Sequence, residues 1–395
     1  MSEHVLVLNC GSSSIKFALY QRDRIPSQRT PDWGGQVSAI GTPQAALTVK
    51  GGIRVALALS CEQPGHAALL AVLEQVWAYL GDASLVAVVH RVVHGGVKYF
   101  DPVRVDASVL EDLRSYIPLA PLHQPFALDA IEALLADHPQ LVQIACFDTG
   151  FHRDIAPVEQ MLALPYAAWE RGIRRYGFHG LSYQYLSMAV PERIGPLARQ
   201  RMLAAHLGSG ASLCAMKDLK SYATTMGFSA LDGLMMGTRC GAIDPGAVIY
   251  LMEIEKLTLQ QVAHLLYYES GLLGVSGVSA DPSVLLPLED RSDAVGERVR
   301  AALALYVHRI VREAGALIAL LGGVDVLVFT AGIGEHSAPL RARVCAALGW
   351  LDVEIDAELN AQNAAVISTP GSAVLVVVEP TNEEWVAALQ AHEML

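Results

Sequence analysis

Two short segments of similar sequence, about half a chain apart, constrain the fold more than any other feature of this chain. The segments LNCGSSSIKFAL (residues 8–19) and AHLGSGASLCAM (residues 205–216) each read as an apolar strand, a Gly–Ser turn and a second apolar strand. A hairpin reused at this offset predicts two copies of one domain, although a match this short also arises by chance. The length of 395 residues independently favours two domains.

The composition fits a compact globular protein and disfavours one class of partner. Hydrophobic residues make up 52% of the chain and charged residues 17%, which argues against disorder. The formal net charge of −12 disfavours non-specific binding to nucleic acid, so we expect no nucleic-acid partner. A local basic cleft can still attract an anionic substrate in such a chain.

The sequence carries no signal for export or for a membrane partner. Its longest apolar helix candidate, residues 301–321, contains two arginines, a histidine and a glutamate, and is too polar to span a bilayer. Polar residues from Asn9 onward interrupt the N-terminal hydrophobic run, so no signal peptide is expected. The six cysteines lack CxxC or metal-ligand spacing, which indicates reduced thiols. We therefore predict a cytoplasmic protein.

Strands repeatedly precede helices along the chain, which predicts an α/β fold. The predicted strands are residues 5–9, 15–20, 85–90, 143–148, 202–207, 213–216, 326–330 and 373–378. The predicted helices are residues 66–80, 125–136, 257–268, 294–321 and 383–394.

Glycine-rich turns follow three of these apolar strands. The third, FTAGIGEHS at residues 329–337, is not GxGxxG, and the chain has no GxxxxGK[ST], so neither a dinucleotide fold nor a P-loop is predicted. In the first hairpin the turn carries Ser12, Ser14 and Lys16, which fits either a solvated turn or an anion site. Together the three turns favour a nucleotide clamped between two related domains.

Nine segments, in order along the chain, then match one known family. They are VLVLNCGSSSIKFALY (5–20), HRVVHGG (90–96), PLH (121–123), FDTGFH (147–152), YGFHG (176–180), HLGSGASL (206–213), TTMGFSALDGLMMGTRCGAIDPG (224–246), FTAGIGE (329–335) and EPTNEE (379–384). The chain resembles the acetate kinase family, whose members make acyl phosphates from short-chain carboxylates and ATP. The resemblance implies an α/β fold of two duplicated ribonuclease-H-like domains, of the actin/Hsp70/sugar-kinase type, around a nucleotide cleft. We expect the first domain at residues 1–150 plus 380–395 and the second at residues 151–379.

The resemblance also assigns the residues that act on the carboxylate and the phosphoryl group. Arg91 would hold the substrate carboxylate, and Val93 and Leu122 would line the acyl pocket. Arg239 and His179 would stabilise the transition state of phosphoryl transfer. Asp148 is marked as an active-site residue; because the substrate is already ionised near neutral pH, we expect it to orient an arginine or metal-bound water rather than to abstract a proton.

The remaining assignments concern the nucleotide and the metal. ATP and ADP are the expected nucleotides, with Mg²⁺ as the cofactor and Mn²⁺ as a substitute. The resemblance gives the metal to Asn9 and Glu383; Glu384 is an alternative that spacing alone does not separate. The nucleotide-binding residues it implies are Ser12, Ser14, Lys16, His206, Leu207, Gly208, Ser209, Gly210, Asp281, Pro282, Ser283, Gly332, Ile333, Gly334, Glu335 and His336.

This chain departs from the family pattern at several positions. On the nucleotide side, Ser209 and His336 stand where an asparagine is usual, and Pro282 and Ser283 replace a Phe–Arg pair, which puts adenine recognition in doubt. On the acyl side, Gln124 replaces an asparagine and Ala230 a proline. A smaller Ala230 makes a roomier pocket, so acetate and propionate remain open as substrates.

Two other functions fit the sequence less well than the kinase. A non-catalytic actin-like ATPase would not need Arg91, His179 and Arg239 together, and a serine hydrolase would need a GxSxG elbow that the Ser-rich turns lack. The partners expected from the resemblance are a small carboxylate, a nucleotide and a second copy of the chain in a homodimer. The helix predicted at residues 294–321 suits either that interface or a core.

Overall fold

The computed structural model describes residues 2–60, 62–121 and 123–395. These residues form two compact units, each with its own sheet. The segments of the units are Met1–Phe151, Gly180–Ser182 and Asn382–Leu395 for unit 1, and His152–His179 and Tyr183–Thr381 for unit 2.

The sheet of unit 1 has eight strands. Its strands are Glu3–Cys10 (β1), Ser14–Gln21 (β2), Trp33–Ser38 (β3), Ala46–Val49 (β4), Val55–Ala56 (β5), Ser84–Val92 (β6), Val103–Arg104 (β7) and Val142–Phe147 (β8). Their order is β5-β4-β3-β2-β1-β6-β8-β7. Neighbours among β1, β2 and β3 are antiparallel, whereas β6 pairs in parallel with both β1 and β8.

The sheet of unit 2 repeats the central part of this topology. Its strands are Met202–Leu207 (β9), Ala211–Lys217 (β10), Lys220–Thr224 (β11), Val326–Thr330 (β12) and Leu375–Val378 (β13). The order β11-β10-β9-β12-β13 is third, second, first, fourth, fifth along the chain, as is β3-β2-β1-β6-β8 in unit 1. Strand directions also agree, since β9 is antiparallel to β10 and parallel to β12. Two copies of a ribonuclease-H-like domain therefore make up the chain.

Fifteen α-helices connect and cover the strands within the described residues. They are Pro64–Leu80 (α1), Ala107–Ser115 (α2), Gln124–Asp137 (α3), Pro157–Gln160 (α4), Tyr166–Glu170 (α5), Gly180–Ile194 (α6), Pro245–Glu253 (α7), Leu259–Tyr268 (α8), Gly271–Ser276 (α9), Pro282–Leu285 (α10), Ala294–Leu321 (α11), Ala331–His336 (α12), Ala338–Ala347 (α13), Ala357–Ala361 (α14) and Glu383–His392 (α15).

In unit 1, helices cover the sheet on both faces. Leu8 and Phe17 pack with Leu69 of α1 and Leu134 of α3 in one buried cluster, where each leucine contributes roughly 2 kcal/mol by leaving water. The C-terminal helix α15 contacts β1, β6 and β8, and Trp385 Nε1 donates to the Ile25 carbonyl at 2.8 Å. The docking of α15 brings its first residues back onto the sheet formed by the start of the chain.

In unit 2, the long helix α11 belongs to the core. The Asp293 side chain caps its N-terminus by accepting from Gly296 N–H, and Gly322 ends it in a left-handed conformation (φ 74°). Buried positions such as Val299, Tyr306 and Ile310 recur along one side of α11, which packs against β10 and β11. Of the two uses that its sequence allows, the structure shows the core.

Each predicted strand and helix coincides with an observed element. The strands that sequence patterning missed are short, polar or glycine-containing: β3, β4, β5, β7 and β11. The segment after β12, predicted as a glycine-rich turn, is instead the helix α12, entered through Ala331 at φ 64°. Within the described residues, every helix is too short or too polar to cross a membrane.

Candidate active site

An arginine held by two carboxylates forms the centre of the site in unit 1. Arg91 lies inside β6, one residue beyond the predicted end of that strand. Its Nε donates to Asp148 Oδ1 and Oδ2 at 3.0 and 3.1 Å, and its Nη2 donates to Asp148 Oδ2 at 2.8 Å. Its Nη1 donates to Glu383 Oε2 at 2.6 Å. Asp148 directly follows β8, so two parallel strands and the start of α15 place these three side chains together.

The electrostatics of this cluster follow from its burial. Burial alone would lower the pKa of Arg91, but Asp148 and Glu383 outweigh it and raise that pKa above its usual value. Burial also raises the pKa of Glu383, and Asp148 and Glu384 add to the rise, while Arg91 opposes it. One guanidinium therefore does not fully compensate the negative charge collected here.

The oxygen of Glu383 that Arg91 leaves unbound fits a cation. Glu383 Oε1 is buried and has no hydrogen-bond partner within the described residues. The parallel register that pairs Leu8 with His90 brings Asn9 next to Arg91, and Asn9 also pairs with Lys16 across the first hairpin. Within the described ranges no three His, Cys, Asp or Glu side chains form a metal site, so a cation here would rely on few protein oxygens. That donor set suits Mg²⁺, which keeps most of its waters.

The predicted acyl-pocket residues are only partly described. Val93, half-buried, follows β6, and Leu122 lies outside the described residues. Gln124, one of the departures from the family pattern, is fully buried, and its side chain accepts from His94 N–H (3.1 Å) and donates to the His94 carbonyl (2.9 Å). It therefore fixes the backbone next to Val93.

The turn of the first hairpin is short and open to solvent. Gly11 N–H donates to the Ser14 carbonyl at 2.8 Å, which closes the turn between β1 and β2. Ser12 and Lys16 are exposed, and Ser14 is half-buried. The hydroxyl groups and the ammonium group predicted to meet phosphate are accessible to a ligand.

In unit 2, His179 occupies an unusual backbone conformation. It has φ 57° and ψ 26°, in the left-handed region that non-glycine residues rarely adopt, and it precedes α6 without capping it. Its Nδ1 lies 2.8 Å from Ser212 Oγ, and its ring stacks on the His206 ring with 4.0 Å between centroids and 15° between planes. The imidazole is thus held both at its edge and on its face.

Arg239 meets His179 at a glycine of the second hairpin. Arg239 Nη1 donates to the Ala230 carbonyl at 2.6 Å. A Cβ added at Gly210 would lie 2.6 Å from Arg239 Nη2 and 3.2 Å from His179 Nε2, so both nitrogens approach the turn where this side chain is missing. Burial lowers the pKa of Arg239, and among the described residues Tyr267, rather than a carboxylate such as the Asp148 that faces Arg91, opposes that effect.

Two further segments predicted to bind nucleotide, residues 281–283 and 332–336, lie beside this hairpin turn. A Cβ at Gly208 would lie 3.6 Å from Ala331 Cβ, which places α12 beside the turn. Gly237 N–H donates to the Ser209 carbonyl at 3.3 Å, and a Cβ at Gly237 would lie 3.2 Å from the Ala280 carbonyl, next to Asp281. The predicted set of unit 2 is therefore brought together.

Individual members of that set differ in what they can contact. The Asp281 side chain caps α10 by accepting from Ser283 N–H at 2.8 Å, and Pro282 is buried. Glu335 Oε1 accepts from Thr381 N–H at 3.2 Å. His336 is mostly exposed, with 74% of its side chain accessible.

Two residues of the site were missed by sequence reasoning. Ser212 contacts His179, and Tyr183 OH lies 2.5 Å from Ser212 Oγ. The signal for Ser212 was present, because it is a polar residue inside an otherwise apolar strand. Tyr183 gave no such signal, since a buried tyrosine on a helix is indistinguishable from a core residue in sequence.

The chain matches a family model over almost its whole length. The model describes the acetokinase family and matches residues 4–389. The acetate kinase of Rhodopseudomonas palustris (strain TIE-1) is 47% identical over 393 residues, covering 98% of this chain and 97% of the relative.

Solved structures agree with this match. The crystal structure of Porphyromonas gingivalis acetate kinase is 37% identical, with a TM-score of 0.84 and coverage of 98% of each chain. A propionate kinase from Francisella tularensis subsp. tularensis is 33% identical, with a TM-score of 0.89 and coverage of 99% of each chain. On this evidence the chain belongs to the acetokinase family.

Proposed function

We propose that this protein is an acetate kinase that transfers the γ-phosphoryl group of ATP to acetate, giving acetyl phosphate and ADP, and that it also runs the reverse reaction. A carboxylate oxygen of acetate attacks the γ-phosphorus while the bond to the β–γ bridging oxygen breaks. The observation that carries the proposal is the approach of Arg239 and His179 to one glycine turn. Two donors at a backbone turn suit a transferring phosphoryl group, whose catalysis is mostly positioning and charge stabilisation.

Arg91 is the proposed holder of the carboxylate, with Val93 and Leu122 against the acyl group. The contacts of Arg91 support a role for Asp148 as its orienting partner, because Asp148 accepts from two of its nitrogens. No base is required for an acceptor that is already ionised. The substrate carboxylate and Glu383 would share the Arg91 guanidinium. A bound cation would attract the Glu383 carboxylate away from Arg91.

The proposed metal is Mg²⁺, with Mn²⁺ as a substitute, held by Glu383 and Asn9. Glu383 Oε1, which is buried and has no partner in the described part of the chain, supports this choice over Glu384. Bound to the nucleotide phosphates, the metal would neutralise charge on the β- and γ-phosphates. The chain itself would contribute the amide oxygen of Asn9 and a carboxylate oxygen of Glu383, both in unit 1.

The proposed nucleotide-binding residues are Ser12, Ser14 and Lys16 in unit 1 and, in unit 2, the second hairpin turn with the two segments beside it, residues 281–283 and 332–336. The exposure of the first turn supports its use by phosphate oxygens. A non-catalytic ATPase with the same fold would need a nucleotide site, but it would not need Arg91 locked between two carboxylates. The geometry therefore favours the kinase.

Propionate is the second candidate substrate. The similarity to a Francisella tularensis protein described as a propionate kinase favours it, as does Ala230 in place of the usual proline. One methylene changes preference by only about 1–3 kcal/mol, so both acids are expected to react at different rates.

The decisive experiment measures acyl phosphate formation with Mg²⁺, with acetate, propionate and butyrate each tested against ATP, GTP and pyrophosphate. Turnover with acetate and ATP is expected to exceed the other combinations. Arg239→Ala should lower kcat by about 10³-fold or more while nucleotide still binds, because a cation in this role has that worth. Nucleotide binding without turnover in any combination would reject the kinase in favour of the ATPase.

We further propose a homodimer that forms through α7 and α8. No residue of α7 is buried, and the apolar side chains of Ile249 and Tyr250 in that helix are more than half exposed. Leu259 of α8 is 69% exposed. Exposed apolar side chains in such a group mark an interaction surface. Ile249→Glu should give a monomer by light scattering, and an unchanged mass would remove this surface from the proposal.

We also propose the domain boundaries and the cellular location of the protein. The compact units support domains at residues 1–150 plus 380–395 and at residues 151–379, with small differences at the boundaries. A cytoplasmic location is supported by the five described cysteines, each of which is a thiol rather than half of a disulfide.

A further inference from the structure

Two buried hydroxyl groups lie behind His179 in unit 2. Ser212 Oγ is 2.8 Å from His179 Nδ1, and Tyr183 OH is 2.5 Å from the same Ser212 oxygen. Both Ser212 and Tyr183 are completely buried. Burying a hydroxyl group costs folding free energy unless the group is hydrogen-bonded, so the hydrogen bonds of these two hydroxyl groups are what offsets their burial.

We propose that Ser212, oriented by Tyr183, is a positioning residue that keeps the proton of His179 on Nε2. The inference rests on the proposed function, in which His179 donates to the transferring phosphoryl group. Tyr183 donates to Ser212, and Ser212 donates to His179 Nδ1. A neutral imidazole that accepts at Nδ1 carries its single proton on Nε2, the nitrogen that approaches Gly210 and Arg239.

A hydroxyl at Nδ1 has a different effect from a carboxylate. A carboxylate at this position stabilises the imidazolium and suits a general base. A hydroxyl that donates to Nδ1 stabilises the neutral ring instead. Since acetate has no proton to remove near neutral pH, His179 gains nothing from being a base. A donor with a fixed Nε2 proton is what the reaction can use.

The second hairpin fixes the ring in two further ways. Ser212 is paired with His206 across β9 and β10, so both side chains stand on the same face of the sheet. His206 stacks on the His179 ring while Ser212 meets its edge. The left-handed backbone of His179 aims the imidazole at this pair. One hairpin therefore sets both the plane and the tautomer of His179.

The kinetic test compares the removal of two serine hydroxyl groups, each of which lies within hydrogen-bond distance of a histidine Nδ1. Ser212→Ala should lower kcat by about 10-fold to 100-fold with little change in KM for acetate or ATP, because a misoriented donor loses transition-state stabilisation. Ser212→Thr, which keeps a hydroxyl group, should recover most of that loss. Ser221→Ala is the matched control, since Ser221 is also buried and its hydroxyl lies 2.7 Å from the Nδ1 of a different histidine, His152. Equal losses in both alanine variants, or none in either, would overturn the proposal.

The tautomer can be read directly by NMR of ¹⁵N-labelled imidazole. The chain has 13 histidines, and the His179 signal is assigned by its disappearance in His179→Asn. Wild-type protein should show the proton on Nε2, and Ser212→Ala should show a mixture of both tautomers. A wild-type proton on Nδ1 would refute the proposal.

Two features keep the test decisive. If Ser212→Ala does not fold, Tyr183→Phe removes the donor to Ser212 while keeping the ring, and it should lower kcat in the same direction with Ser212 intact. A failure of the proposed function would appear as wild-type protein that makes no acyl phosphate. The NMR result does not depend on turnover, so the two failures are distinguishable.

Discussion

Neighbouring glutamates at the start of α15 show how single residues with the same chemistry take different roles. Glu383 is half-buried beside Arg91, with one oxygen bonded and the other buried without a partner among the described residues. Glu384 instead faces a groove of about 380 Å³ that it lines with Lys16 and Tyr20. Sequence spacing alone could not separate the two, because adjacent residues on a helix point about 100° apart and either could face the sheet.

We predict that Glu383→Gln weakens metal binding far more than Glu384→Gln does. Losing the carboxylate charge at Glu383 should raise the Mg²⁺ concentration for half-maximal activity by about 10-fold to 100-fold, as loss of a supporting group does at metal sites. Direct Mn²⁺ binding, measured by electron paramagnetic resonance with ATP present, should weaken in parallel. Glu384→Gln is the matched control, and a larger effect there would move the metal to Glu384.

The two hairpins show what the chain repeats at the scale of elements. In each hairpin, one cross-strand pair close to the turn carries polar side chains: Asn9 with Lys16 in unit 1 and His206 with Ser212 in unit 2. The similarity of the two segments predicted the hairpins and their positions. It did not predict the partners of Ser212, since His179 and Tyr183 come from α6 and the residue before it.

We predict that Gly210→Ala lowers kcat while the protein stays folded. A Cβ at Gly210 would lie 2.6 Å from Arg239 Nη2, closer than real Cβ contacts, so the guanidinium must move away from the turn. We expect kcat to fall by about 10²-fold, the cost of a displacement near 1 Å at a reacting group. Steady-state kinetics with circular dichroism would check both parts of the prediction.

Gly315→Ala is the control for this substitution. A Cβ at Gly315 meets nothing within 4 Å, and the residue lies in helix α11 without a positive φ. Its kcat should stay near that of wild type. Equal losses in the two variants would mean that a methyl group added outside the proposed site is as harmful as one at the turn, and the specific approach of Arg239 and His179 to Gly210 would lose its support.

At the scale of the whole chain, the sequence allowed the duplication to be predicted, whereas many of the strands and contacts could not be predicted from it. The same five-strand order in both units agrees with the repeat of residues 8–19 at residues 205–216. Strand β3 escaped prediction because it contains Gly34 and Gly35, which are typical of loops rather than strands. In the sheet, a Cβ at Gly35 would lie 2.3 Å from the Thr48 carbonyl, so the close approach of β4 requires the glycine. Such a contact between distant residues leaves no local pattern.

Buried neutral histidines should make the whole protein sensitive to acid. Burial lowers the pKa of His90 to about 4, of His94 to about 3 and of His152 to about 4, from an ordinary value of 6.5. Each ring is therefore neutral in the folded protein at pH values where the unfolded chain binds a proton. The stability that these rings contribute is complete above pH 6.5 and is lost as the pH falls toward 4.

The measurement is the unfolding free energy from urea titrations between pH 8 and pH 4.5. Each histidine should add a slope of about 1.4 kcal/mol per pH unit below pH 6.5, because one proton is taken up on unfolding. In His90→Gln the slope should fall by one proton, since glutamine keeps the hydrogen bond that His90 Nε2 makes with Gln143 at 2.8 Å. Comparison at pH 8, where the imidazoles of His90, His94 and His152 are neutral in the folded and the unfolded chain, isolates any packing change. An unchanged slope in His90→Gln would mean that His90 accepts its proton inside the fold, and the acid sensitivity would have to come from other groups.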